Sequence, residues 1–365
     1  MQHHRAIGSF VGFVCCALGA SCSKSTPSGT APSATTSSSA APAASASAHA
    51  ELALTSKAFA LPGVSGPVTL DLIAYDRARG QIWIPVGEGG SVHVFTIATS
   101  SFSRVDGFKT KAREARGRTR MMGPSAAAVG DGYVYVSDRA SNEVCAVSDT
   151  TLKVGACVPL TSPPDVIGYD AASKEIWVTT PKETSITVLD ATTPDQPKPK
   201  TVIKTDGEPE CYAFDDQRGL FYTNLEDKNR IVSIDMKAHA VKASYALGCS
   251  EEGPRGVAVD SQRNLLFVAC ADHVEVVDGG GKFLGKLDAG AGVDAIEYAS
   301  DTKKLYVAAG KSGRLTIATF SNAGAPTIVA KGETAPSARN AVVDSSGNAY
   351  VVDSQNAKLL VVSAP

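Results

Sequence analysis

The sequence has almost no charge imbalance: 35 Lys and Arg stand against 37 Asp and Glu, a formal net charge of -2. It therefore lacks the basic footprint that nucleic-acid binding requires, and it lacks a basic face with interleaved aromatics on which single strands stack. Histidine is scarce, at six residues. Those past the N-terminal region, His93, His239 and His273, fall in separate segments, so no histidine ligand cluster is visible, and His93 and His273 read as surface residues of outer strands. There is no C-x-x-C-H for covalent haem, no G-x-S-x-G nucleophile elbow and no G-x-x-x-x-G-K-[ST] phosphate loop. No long helical periodicity is present, which leaves short strands as the building material.

Arg5, the apolar run from Ile7 to Leu18 and the small residues after it read as a signal peptide over residues 1–21. The run is too short for a permanent membrane span. Cys22, after Gly19-Ala20-Ser21, resembles a bacterial lipoprotein cleavage site, with Gly19 standing where an aliphatic residue is expected. Lipidation at Cys22 and simple secretion are both open. Residues 22–50 are almost entirely Ser, Ala, Thr, Pro and Gly, too poor in apolar surface to offset the entropy of ordering, and read as a tether. The expected location is the periplasm or the cell surface. Cysteine usage fits export. Cys145 and Cys157 flank a turn at Asp149-Thr150-Thr151 and are placed to bond across a hairpin. A Cys249–Cys270 bond is reasonable and leaves Cys211 single; a zinc centre of these three thiols lacks a nearby histidine and the C-x-x-C spacing.

What is present is a repeat. Aligned on a turn that follows a short apolar strand (Asp76, Gly130, Asp170, Asp215, Asp260, Ala299, Asp344), each repeat carries an aromatic in the next strand: Trp83, Tyr135, Trp177, Phe221, Phe267, Tyr306 and Tyr350. The step is about 40–45 residues, that of β-propeller blades. The expectation is an all-β, seven-bladed propeller over residues 51–365, its aromatics filling the wedges between blades. The last repeat stops after its third strand, Leu359 to Val362, so Leu52 to Leu61 is expected to supply the fourth and close the ring. Lys109 to Met122, with six Lys and Arg against Glu114, interrupts the period as a solvated loop or an anion-binding flap.

Five positions before each turn stand Asp71, Ser125, Asp165, Glu210, Arg255, Asp294 and Arg339, charged at all but Ser125 in a chain that is 20% charged. A second tier, Asp138, Thr180, Asn224, Cys270 and Asp353, ends the second strands on the same rim. Three roles fit. The charges pair among themselves and set blade order. Or Asp165, Glu210, Asn224, Arg255, Asp294 and Arg339 bind a ligand or partner, with the arginines clamping an anionic group. Or Glu210, Asn224 and Asp294 hold a divalent cation such as Ca²⁺ through oxygen ligands, and the cation polarises a lactone or ester carbonyl.

The segments KEIWVTTPKETSITVLD (174–190), GEPECYAFDDQRGLFYTNLEDKNRIVSID (207–235) and CSEEGPRGVAVDSQRNLLFVAC (249–270) resemble the YVTN/YncE-like seven-bladed propellers of exported bacterial proteins, with the tetrapeptide degenerate as IWVTT and LFYTN. The resemblance extends to 123–157 and covers the whole ring. It implies an envelope propeller that binds something. Because the polar ring holds no evident nucleophile–base pair, the expectation is a monomer that binds a small ligand or another envelope protein without catalysis. The alternative is a metal-dependent lactonase of the SMP-30/gluconolactonase type, similar in architecture but matched by no lactonase motif here.

Overall fold

The computed structural model describes residues 52–115, 118–250 and 252–363; the signal peptide, the tether and Cys22 lie outside them. The described residues form seven four-stranded antiparallel blades, a β-propeller. The inner strands are Ala74–Asp76, Pro124–Val129, Ile167–Asp170, Pro209–Asp215, Pro254–Asp260, Val293–Ala299 and Ala341–Val343, which define blades 1 to 7. Each inner strand starts at the charged rim and ends at the repeat's turn.

The repeated aspartate is a turn device. Asp76, Asp170, Asp260 and Asp344 are buried, and each accepts a backbone N–H from the turn it opens, such as Arg79 N at 3.0 Å and Ser346 N at 2.9 Å. A short side-chain acceptor holds such turns closed. The chain then enters the second strand through a left-handed residue, Gly80 (φ 60°) or Gly219 (φ 62°) in two blades and Lys174, Asn264 or Lys303 in others.

The wedge aromatics pair across strands with small residues: Ala74↔Trp83, Ala128↔Tyr135, Gly168↔Trp177, Ala213↔Tyr222, Ala258↔Phe267 and Val342↔Tyr350. Directly opposite residues share a face, so a ring on the second strand needs a small inner neighbour. In blade 4 the shared position belongs to Tyr222, not Phe221. Phe221 is also buried, but it faces the other way and stacks on Trp177 of blade 3 at 4.7 Å. In blade 6 the aromatic is Tyr306, and its inner neighbour is Glu297.

The N-terminal segment closes the ring as expected. Thr55–Ala60 is the outer strand of blade 7, paired antiparallel with Lys358–Ser363. Leu52–Ala53 adds a short parallel strand to the outer edge of blade 6, which the repeat does not announce. One segment thus ties blade 6 to blade 7, and Phe59 and Leu61 pack into the cluster shared with blade 1.

The basic insertion is a hairpin rather than a loop: Lys111–Ala115 pairs with Arg118–Met122. Cys145–Cys157 joins the third and outer strands of blade 2, Cys249–Cys270 joins the approach to blade 5 to the end of its second strand, and Cys211 is single and buried. His93 is not a surface residue. It is fully buried in the third strand of blade 1 with neither ring nitrogen hydrogen-bonded, and burial pushes its pKa down to about 4. A third strand is covered on both faces by neighbouring blades, so alternation along it does not mark an exposed side. His273 is mostly covered and contacts Asp272 at 2.8 Å. Among the described residues no helix is long and apolar enough to cross a membrane.

Candidate functional site

The rim charges come from backbone positions that the repeat places at the mouth of the channel, and the structure pairs most of them. Arg139, the first residue after the second strand of blade 2, reaches Asp71 at 2.6 Å, contacts Asp165, and donates to the Pro164 carbonyl at 3.0 Å. Arg339 contacts Asp294, and it reaches Asp71 at 3.4 Å and the Leu70 carbonyl at 3.3 Å. The result is one chain, Asp165–Arg139–Asp71–Arg339–Asp294, spanning blades 3, 2, 1, 7 and 6. The field of Asp294, with Asp71 behind it, holds the Arg339 guanidinium firmly charged. Three carboxylates against two guanidiniums leave this tier net negative.

Glu210 sits beside that excess. Burial first, then the Glu226 carboxylate to which it is hydrogen-bonded, and then Asp294 and Asp71 push it up to about 8. Near neutrality Glu210 is therefore a proton-carrying acid rather than a carboxylate. Asn224 is fully buried, and its amide nitrogen donates to the Arg255 and Gly256 carbonyls at 2.9 and 3.0 Å, stapling blade 4 to blade 5. Arg255 lies 3.5 Å from Glu226, and Lys311 lies 3.0 Å from Glu252.

Of the six residues singled out from sequence, Asp294, Arg339 and Asp165 thus fall in one ion chain, Glu210 and Arg255 meet through Glu226, and Asn224 uses its amide nitrogen on backbone while its Oδ1 stays buried and unpartnered among the described residues. Sequence alignment missed Arg139, Glu226, Glu252 and Lys311. All four lie in connections beside the strands, Arg139, Glu226 and Lys311 just past the ends of second strands. Reading one or two positions beyond the second tier would have found those three.

The charged tier divides the channel. On its outer side a cleft of about 850 Å³ over blades 4 to 7 is lined by Glu208, Glu226, Asp227, Glu252 and Asp294 and by Arg255, Lys311 and Arg339. On its inner side lies a chamber of about 530 Å³, which runs from the level of Cys211 and Asn340 to the turns at Ser261 and Ser300. Among the described residues no histidine lines either space.

Arg139 serves two carboxylates while being mostly covered, so its removal strands Asp165 and leaves Asp71 to Arg339 alone. Arg139→Ala is expected to lower unfolding stability by about 3 kcal/mol. Urea titration checks this, and a loss below about 1 kcal/mol would mean the tier is solvated well enough to be dispensable.

No protein-family model and no curated protein matches the chain. Solved structures do. Hydrazine synthase from Kuenenia stuttgartiensis superposes with a TM-score of 0.67 at 16% identity, over 83% of this chain and 96% of that one. Virginiamycin B lyase from Staphylococcus aureus gives 0.66 at 11% identity, over 86% and 100%. A streptogramin B lyase gives 0.65 at 13%, over 86% and 98%. The likeness is one of fold. These neighbours are seven-bladed propellers, and a propeller hosts unrelated activities.

Proposed function

We propose that this chain is an exported, YVTN/YncE-like propeller that binds a small ligand or an envelope protein in the rim cleft, without catalysis. One observation carries the reading. Arg255 and Lys311 stand at the cleft wall, each with a single carboxylate partner among the described residues, Glu226 and Glu252 respectively. A ligand bearing carboxylate or phosphate oxygens offers them a better, multidentate partner. The two disulfides support the exported reading.

The donors singled out for a cation do not fit one. The Asp294 carboxylate is committed to Arg339 and Glu210 keeps its proton near neutrality, which leaves the Asn224 Oδ1, buried and unpartnered among the described residues, as the one open oxygen of the three, and hard divalent ions take several. A lactonase reading loses its Lewis acid with them. The lyase neighbours offer no better precedent, since one is described as inactive when a histidine is replaced by alanine and no histidine lines the cleft.

The test has two arms. A thermal-shift titration with EDTA and then Ca²⁺, Mg²⁺ and Zn²⁺ is expected to leave the transition unmoved, because a ligand that binds only the folded state raises apparent stability by mass action. Pull-downs from cell-envelope extract are then run with the parent chain and with Arg255→Glu/Lys311→Glu, and the variant is expected to lose a partner that the parent retains. A stabilising cation would replace this reading with the lactonase one. Identical capture by parent and variant would remove the cleft from it.

A further inference from the structure

The inner chamber has a chemistry of its own. Glu297 is the one charged side chain among its lining residues. It has no hydrogen-bond or ion-pair partner among the described residues, and it is half-buried, with its carboxyl open to the chamber. It occupies the inner-strand position that is Ala128, Ala213, Ala258 and Val342 in other blades, all of which line the same chamber. Those small side chains leave the space into which the carboxyl faces.

The walls toward the open end are aromatic: Tyr75, Tyr169, Tyr212, Phe214 and Tyr298. Three of the hydroxyls are already used. Tyr169 donates to Asp131 at 3.0 Å, Tyr212 to the Ile167 carbonyl at 2.8 Å, and Tyr298 to Asp260 at 2.6 Å. The chamber wall is therefore drawn from ring carbon more than from polar tips. A lone carboxylate at the end of an aromatic-walled space, with no lysine, arginine or histidine on the lining, is complementary to a cation with an apolar body.

We infer that the chamber is a binding site for a small organic cation, an alkylated ammonium whose charge meets Glu297 and whose alkyl groups lie against the tyrosine and phenylalanine rings. A hydrated metal ion is a poorer match, because the lining provides one carboxylate and hard divalent ions take several oxygens. The site is separated from the rim cleft by the charged tier, and it stands or falls independently of the function proposed there.

The experiment uses the full chain at about pH 8, where Glu297 is ionised. Choline is titrated calorimetrically beside 3,3-dimethylbutan-1-ol, its uncharged isostere. Choline is expected to bind saturably and the alcohol at least about tenfold more weakly. Glu297→Gln is expected to remove that preference, and Arg255→Glu/Lys311→Glu to leave it intact. Absence of choline binding overturns the inference. So does equal binding of the alcohol, retention of the preference in a folded Glu297→Gln chain, or loss of binding only in the rim variant. Glu297→Gln replaces a half-buried acid without changing shape, so a folded variant is expected and its melting curve verifies it.

Discussion

Deleting residues 52–62 will leave a chain that does not fold to a soluble monomer. The segment supplies the outer strand of blade 7 through six register pairs, Thr55↔Ser363 to Ala60↔Lys358. Without it the edge at Lys358–Ser363 is open, and an open strand edge is a template for association. The loss is also one of core. Leu61 is 2% exposed and its N–H donates to Ala357 at 2.9 Å, while the Phe59 ring lies 5.0 Å from that of Phe95 in blade 1. A blade interface needs both neighbours, so damage at blade 7 propagates to blades 6 and 1. Size-exclusion chromatography and far-ultraviolet circular dichroism of the deletion product test this, and a monodisperse, β-rich species would refute the closure. A graded version is Leu61→Ala, expected to cost about 3 kcal/mol while leaving the ring closed.

This closure was legible because the last repeat ends one strand short, a counting argument that needs no chemistry. The blades were legible for a related reason: a turn, with aspartate in five of the seven repeats, and a ring one strand later recur at a separation of five to seven residues, and both follow from geometry that the blades share. What the pattern missed is equally physical. In blade 4 two aromatics stand side by side, and distance from the turn does not choose between Phe221 and Tyr222. The small residue opposite does, because only Tyr222 faces Ala213. His93 looked exposed because alternation assumes one wet face, and a third strand in this ring has none. At the rim the inner-strand charges were visible in the alignment, but not their pairings, because Arg139 and Glu226 belong to connections outside the aligned strands. Glu297 was visible too, as the acid in a tier that is otherwise small, yet its meaning depends on the chamber it faces, and a cavity is a property of the closed ring.

The second large effect concerns pH. Two acids have folded-state pKa values well above the ordinary carboxylate range: Glu297, pushed up to about 7 by burial alone, and Glu210, pushed up to about 8 by burial and then by Glu226, Asp294 and Asp71. The titratable groups that line the chamber with Glu297 are Tyr75, Tyr169, Tyr212, Tyr298 and Cys211, and among them the Tyr212 hydroxyl, pushed up by burial, feels the Glu297 charge. In the folded state both acids hold protons that the unfolded chain releases at lower pH. Stability falls wherever the folded state binds more protons than the unfolded one, so these groups cost nothing near pH 4 and oppose folding increasingly as pH rises toward their folded values. For Glu297 the difference from an ordinary glutamate corresponds to about 3 kcal/mol above pH 7, reduced to about 2 kcal/mol if water enters the chamber and screens the charge. Glu297→Gln is therefore expected to stabilise the chain by that amount at about pH 8.5 and to change little at about pH 5. Glu210→Gln should act in the same direction, its gain setting in at the same pH, that of an ordinary glutamate, and continuing to grow to about one pH unit higher. Urea midpoints across that range provide the measurement. A gain that is equal at both ends would assign the effect to packing rather than ionisation, and a loss at high pH would mean that Glu297 is ionised and held by a partner, reversing the account of the chamber. The same linkage couples to the chamber's proposed ligand: a cation that favours the ionised form expels the proton, so choline should steepen in affinity from pH 6 to about pH 8 in the parent chain and stay flat in Glu297→Gln.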